Sequence, residues 1–225
     1  HGSARLDGTT LGMRRAIPLP GLFGGYPGAC TRFEVAEAGG TTRPVGLNAS
    51  GIRLGPNDVF RFANASGSGL GDPLEREPTR VLGDVRDGYV TAATARGVYG
   101  LVRTGDGTAV DEVATAAARD AIRAARRARA TFPPRPADPP RPAPPVGRLS
   151  AAVEVVRAEG GLVARCAACG AGLARGPSGW KAGAGVAECT LGTPEFAARA
   201  GTWAPLRAEG AVVLREYVCP GCARL

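Results

Sequence analysis

The chain has 225 residues, 44% of them hydrophobic, enough for two small domains or one domain with an appendage, and nothing in it approaches the roughly 18 consecutive apolar residues of a membrane helix. The formal charge of +8 comes almost wholly from arginine, with Lys181 the lone lysine, so it reads as a compositional habit and a solvated surface before it reads as a nucleic-acid footprint. No apolar run follows the first charges, which argues for a cytoplasmic protein without a secretory signal. The start at His1-Gly2-Ser3 fits a fragment, a processed product or a cloning remnant.

In chain order, Thr31 to Glu37 alternates as a strand should, and Asp58 to Phe62 reads as another, both bounded by glycine-rich turns. A short helix is predicted from Pro78 to Asp87, with Pro78 at the first helical position, Val81, Val85 and Tyr89 at four-residue spacing, and Gly88 available as a left-handed cap. Thr91 can cap a second helix running to Tyr99. Asp111 and Glu112 open a third that continues to Ala130. That third helix carries Val113, Ala117, Ala121, Ala124 and Ala128 on one side, expected to pack, and Arg119, Arg123 and Arg127 on the other, expected to be solvated or to meet a partner.

From Thr131 to Gly147 the chain is dense in proline, which removes backbone donors and favours polyproline II. This predicts a semi-rigid linker, residues 131–148, between a segment 1–130 and a domain 149–225; a proline-rich recognition motif is the functional alternative. Beyond it, Ala152 to Arg157 and Leu162 to Arg165 read as strands meeting at Glu159-Gly160-Gly161. Val186 to Thr190 reads as a further strand, Pro194 to Ala200 as a helical turn or two, and Ala211 to Val218 as the last strand. The fold class expected is α+β: a glycine-rich β/α segment with a helical tail, the linker, and a small, mostly β domain of the zinc-ribbon kind.

Four of the six cysteines fall in two pairs, Cys166-Ala167-Ala168-Cys169 and Cys219-Pro220-Gly221-Cys222, each just after a predicted strand. Two intervening residues let both thiolates of a pair point into one tetrahedron, and two such knuckles complete the four-coordination that Zn2+ takes in structural sites. A complete thiolate set leaves no position for water, so the metal would be structural. The interval from Cys169 to Cys219 exceeds the roughly 15 to 20 residues of a compact ribbon, and a domain this small would draw much of its stability from the ion. Disulfides and a redox-active pair are the competing readings. The first calls for an oxidising compartment and the second for a neighbouring βαβ unit. Cys30 and Cys189 are left over as small buried residues, Cys189 being the one conceivable substitute ligand.

The segments Gly21-Leu22-Phe23-Gly24-Gly25-Tyr26-Pro27-Gly28 and Gly67-Ser68-Gly69-Leu70-Gly71-Asp72-Pro73-Leu74-Glu75-Arg76, followed in register by Pro78, Val81, Leu82, Asp84, Val85, Asp87, Gly88, Ala95 and Tyr99-Gly100, resemble the C-terminal end of the hydantoinase B/oxoprolinase family. The resemblance covers about residues 5–103. It departs at Ala65 to Gly71, where Ser66, Ser68 and Leu70 interrupt the family's glycine run. Leu214 to Cys222 in turn resembles the small zinc-containing gamma subunit of acetone carboxylase, over about residues 149–225.

The two resemblances together imply a zinc-containing small subunit of a multisubunit ATP-dependent carboxylase acting on a ketone or related carbonyl compound. Its partners would be hydantoinase A-like and hydantoinase B-like subunits in a hetero-oligomer, with ATP and a divalent cation on those partners, and its own role would be accessory. A subunit of an ATP-dependent hydantoinase/oxoprolinase complex is the alternative within enzymes. A zinc-ribbon protein binding nucleic acid is the alternative outside them, disfavoured because no basic cluster is interleaved with stacking aromatics. The residues themselves supply no Walker-type loop and no nucleophile-base set around an ordered histidine, so catalytic residues stay unassigned. Asp72 and Glu75 are expected to serve turn and helix-start chemistry.

Overall fold

The computed structural model describes residues 5–15, 17–134, 143–190, 193 and 213–224. It combines helices with several small antiparallel sheets, as an α+β chain should. The strands are β1 (Leu6–Thr10), β2 (Arg32–Ala36), β3 (Thr42–Val45), β4 (Ala49–Leu54) and β5 (Val59–Ala63). Helices α1 (Pro78–Arg86), α2 (Ala92–Gly97) and α3 (Glu112–Arg129) follow. Strands β6 (Pro145–Arg148), β7 (Val153–Ala158), β8 (Gly161–Cys166), β9 (Gly172–Arg175), β10 (Gly185–Thr190) and β11 (Val213–Val218) complete the order. The turn expected at Pro194 to Ala200 lies outside the described residues.

Contacts divide the chain into two compact units, the first built mainly on 26–69 and the second mainly on 70–188 with 215–225. In the first unit β2 is the centre of a three-stranded sheet, between β3 and β5. Phe33 and Val35 point to the core while Arg32 and Glu34 point away, and Glu34 meets Arg61 directly across the ladder. The core gathers Phe33, Val35, Val45, Leu47 and Ile52. Strand β3 carries Pro44, which an edge position tolerates because no partner there needs its missing N–H.

In the second unit the helix ends follow their caps. Thr91 and Asp111 accept from the amides of Thr94 and Ala114, and Gly88 sits at φ +79. Val81, Leu82, Ala95 and Leu101 form the helical core. A four-stranded sheet runs in the order β6-β7-β8-β9, with β7 nearly enclosed and Glu154 paired to Arg165 across the ladder at 2.7 Å. Strand β6 occupies the C-terminal end of the proline-rich stretch as an edge strand headed by Pro145, again where a missing donor does no harm.

Helix α3 reverses the expected facing. Val113 is 83% exposed and the alanines at 117, 121, 124 and 128 are exposed with it, whereas Thr115, Arg119, Ile122 and Arg126 turn inward at helical spacing. The reason is what lies opposite. The facing segments offer carbonyls and carboxylates, which guanidinium groups satisfy while their methylene stems pack, and alanine can do neither. Arg119 Nε donates to Tyr99 O at 3.1 Å. Neighbouring Gly100, at φ +66, would place a Cβ 2.7 Å from Arg119 Cγ.

Candidate metal centre

Strand β8 ends on Cys166 and β11 ends one residue before Cys219, and the two turns that follow repeat one another bond for bond. Cys166 N donates to Ala171 O at 2.8 Å and Cys219 N to Arg224 O at 2.9 Å; Gly170 N donates to Cys166 O at 2.9 Å and Ala223 N to Cys219 O at 3.0 Å. The residue after each second cysteine takes a left-handed conformation, Gly170 at φ +74 and Ala223 at φ +57. Identical geometry therefore follows from the shared Cys-x-x-Cys spacing, although only the first turn has the glycine that such a φ favours.

The four sulfurs converge. Cys166 and Cys222 Sγ are 3.7 Å apart, Cys169 and Cys219 Sγ 3.6 Å, and all four lie within 4.8 Å of one another. A tetrahedron with metal–sulfur bonds of about 2.3 Å has edges of about 3.8 Å, so the set fits one ion of that size. Among the described residues this is the group of histidine, cysteine and carboxylate side chains that could hold a metal. Hydrogen bonds from Cys219 and Cys222, then from the amides of Cys169 and Ala168, hold the Cys166 thiol far below its usual range. The same interaction with Cys166 raises Cys219, and raises Cys222 to about 11. Thiolates this close repel one another, so a set of four requires a cation among them. An ion held by all four sulfurs would have no position left for water or substrate.

The second turn is gripped from outside. Arg127 Nη1 donates to Pro220 O at 2.7 Å and its Nη2 to Gly221 O at 2.5 Å, while Arg224 Nη2 pairs with Glu75 Oε2 at 2.7 Å. Gly221 N donates to Cys219 Sγ at 3.3 Å. Sequence reasoning placed Arg127 on a solvated or partner-facing side, and nothing local in the sequence links it to residues more than ninety positions away. The cue that was available is α3's surplus of arginines over acids.

Asp72 performs the helix-start role expected of it, accepting from Leu74 N at 3.0 Å at the head of a 3-10 turn over Pro73–Glu75. It also makes a buried ion pair with Arg126, which the sequence did not reveal. Within Gly21 to Gly28 the chain makes a turn, with Gly25 N donating to Leu22 O at 3.0 Å. Cys30 and Cys189 are buried and lie outside the four-sulfur group.

No protein-family model matches the chain. Over 75 residues, 32% of this chain and 10% of the relative, it is 49% identical to the acetone carboxylase alpha subunit of Xanthobacter autotrophicus. Over 66 residues, 29% of this chain and 11% of the relative, it is 50% identical to caprolactamase subunit beta of Pseudomonas jessenii. Among solved structures, nucleotide-free acetone carboxylase covers 50% of this chain and 19% of its own at 31% identity, with a TM-score of 0.41. The chain spans about a tenth of the length of the curated relatives it matches. Over about a third of its own length it is therefore related to the acetone carboxylase alpha subunit and to caprolactamase subunit beta, a hydantoinase B/acetone carboxylase-like relationship.

Proposed function

We propose that this chain is a zinc-containing small subunit of a multisubunit ATP-dependent carboxylase acting on a ketone or related carbonyl compound, in an accessory role. The observation that carries the reading is the 49% identity to an acetone carboxylase alpha subunit in a chain that also gathers four cysteine sulfurs. The ion is zinc, because a tetrahedral set of four thiolates is the shell zinc takes in structural sites. Its task is to tie the turn after β8 to the turn after β11.

An accessory role follows from what carboxylation demands. A general base must make the carbon nucleophile, and cationic groups must stabilise the phosphate and the developing oxyanion. The closed thiolate shell cannot polarise an oxygen, and Arg119, Arg123, Arg126 and Arg127 are each engaged with a carbonyl or carboxylate of this chain. ATP and its divalent cation are accordingly assigned to hydantoinase A-like and hydantoinase B-like partner subunits, in a cytoplasmic hetero-oligomer. Among the described residues no helix is long and apolar enough to cross a membrane.

The 50% identity to caprolactamase subunit beta favours a second reading, a subunit of an ATP-dependent hydantoinase/oxoprolinase complex. Reconstitution with candidate partners, with and without this chain, separates them. Chain-dependent incorporation of labelled bicarbonate into a ketone supports the first reading. Chain-dependent, ATP-driven opening of a cyclic amide supports the second, and full activity without the chain overturns both.

A further inference from the structure

Helix α3 holds two features of the second unit at once. Three of its arginines each take one residue of the Gly71-Asp72-Pro73-Leu74-Glu75-Arg76 motif: Arg126 takes both carboxylate oxygens of Asp72, Arg123 takes Glu75 Oε1 at 3.0 Å, and Arg119 takes Arg76 O at 2.6 Å. One residue beyond Arg126, Arg127 grips the carbonyls between Cys219 and Cys222. Glu75 closes the circuit. One of its oxygens is on Arg123 and the other on Arg224, two residues past Cys222.

A carbonyl held by Arg127 also fixes the amide on the far side of the same planar peptide. Pro220 O shares its plane with Gly221 N, which donates to Cys219 Sγ. Gly221 O shares its plane with the Cys222 amide. The guanidinium therefore sets the direction of the backbone donors around the second pair of sulfurs, the role outer-shell partners play at metal centres. The connection runs both ways. Once an ion fixes the Cys219–Cys222 turn, Arg127 and Arg224 have fixed partners, and Glu75 is held between the helix and that turn.

We infer that metal occupancy of the four cysteines is coupled to the order of the Asp72–Arg76 segment, with Arg127, Glu75 and Arg224 as the positioning residues that carry the coupling. The inference rests on metal binding by the cysteines and is independent of the reaction in which the chain takes part. Coupling of this kind is reciprocal: the ion orders the motif, and the motif's contacts tighten the ion.

The test uses the full chain loaded with Zn2+. Metal affinity is measured by competition with a chromophoric chelator, and amide exchange is followed at Leu74, Glu75 and Arg76 with and without metal. Arg127→Gln and Glu75→Gln are each expected to weaken Zn2+ binding about tenfold, while Arg43→Gln, whose ion pair with Glu37 lies in the first unit, leaves it unchanged. Stripping the metal is expected to speed exchange at the three amides in the wild type. The double variant Arg127→Gln/Glu75→Gln is expected to lose that response while still binding Zn2+. Bound metal with unchanged affinity in both single variants, and exchange at residues 74–76 indifferent to the ion, overturns the coupling alone. A chain that takes up no metal overturns the metal assignment and the coupling with it.

Discussion

Arg126 and Asp72 form a bidentate ion pair, Nη1 to Oδ2 at 2.7 Å and Nη2 to Oδ1 at 2.9 Å, with side chains only 3% and 4% exposed. Asp72 also receives the Leu74 amide, so one carboxylate starts the 3-10 turn and anchors α3. Removing one partner strands a buried charge, which costs about 3 to 5 kcal/mol, whereas the pair itself contributes much less over a well-packed apolar replacement. Arg126→Met is therefore expected to destabilise the chain by about that amount. Asp72→Asn, which keeps the acceptor for Leu74 N, should cost a similar amount, and the two changes together less than their sum. Urea unfolding of the four proteins measures the cycle. A cost for Arg126→Met below about 1 kcal/mol, the usual size for an exposed pair, would contradict the buried geometry.

The two cysteine turns offer an internal comparison, because equivalent backbone positions carry Gly170 and Ala223 at positive φ. Gly170→Ala meets no neighbour within 4 Å, so its cost is the conformational one, about 1 to 2 kcal/mol. For Ala223→Gly, relief of the same strain offsets the lost methyl burial and the added freedom of the unfolded chain, each about 0.5 to 1 kcal/mol. The net change should be close to zero. Ala164→Gly, at a fully buried position in β8 with no positive φ, has no such compensation. Melting curves of the three variants should rank Ala223→Gly as the mildest; an Ala223→Gly cost equal to that of Ala164→Gly would show that the turn stores no strain.

Local signals were legible in the sequence and distant ones were not. Thr91 and Asp111 start their helices, and Gly88 closes its own, through bonds to residues at most four positions away, so the local sequence located them. The cysteine turns were equally readable, since spacing dictates their geometry. Strands β1, β3, β4, β6 and β9 escaped because glycine or proline hides their alternation, and they hold their place through partners such as Gly8 opposite Ile52. The packed face of α3 escaped for a stronger reason. Hydrophobic periodicity pointed to its alanines, but the partner of Arg126 is 54 residues away, and only tertiary structure buries that arginine; Arg127 stays exposed, as expected, while reaching carbonyls more than 90 residues away.

The turn ahead of α3 yields a pH expectation. Asp106 receives the hydroxyls of Thr104 and Thr108 and the Thr108 amide, which lower its carboxyl from 3.8 to about 2. A folded value below the unfolded one means the contribution is fully present above the unfolded value and is lost as pH falls through the folded one. Protection of the Thr108 amide in the wild type should therefore exceed that in Asp106→Asn by a constant factor from neutral pH down to about 5, above both values. The advantage should fade only as pH drops toward about 2. A gap that closes between pH 7 and about 5 would assign the turn's order to some other titrating group.

The cysteine set makes the sharpest demand. Protein purified without chelators is expected to carry about one zinc per chain, and Cys166→Ser or Cys219→Ser to lose it, because a hydroxyl is a poor zinc ligand and each sulfur lies within 4.8 Å of the other three. Cys30→Ser and Cys189→Ser should keep it, since neither residue belongs to the group. They can cost stability, as each buries a hydroxyl in place of a small apolar thiol. Loss of the ion should then be read along the chain. β8 ends on Cys166 and β11 runs directly into Cys219, so both should lose amide protection when a chelator strips the metal. β2, whose Phe33 and Val35 sit in a core made without any ligand cysteine, should keep its protection. Metal retained in Cys219→Ser would break the four-thiolate assignment. Metal lost from Cys189→Ser would move the site toward β10, and equal loss of protection in β2 and β8 would show that the ion stabilises the whole chain and not the second unit.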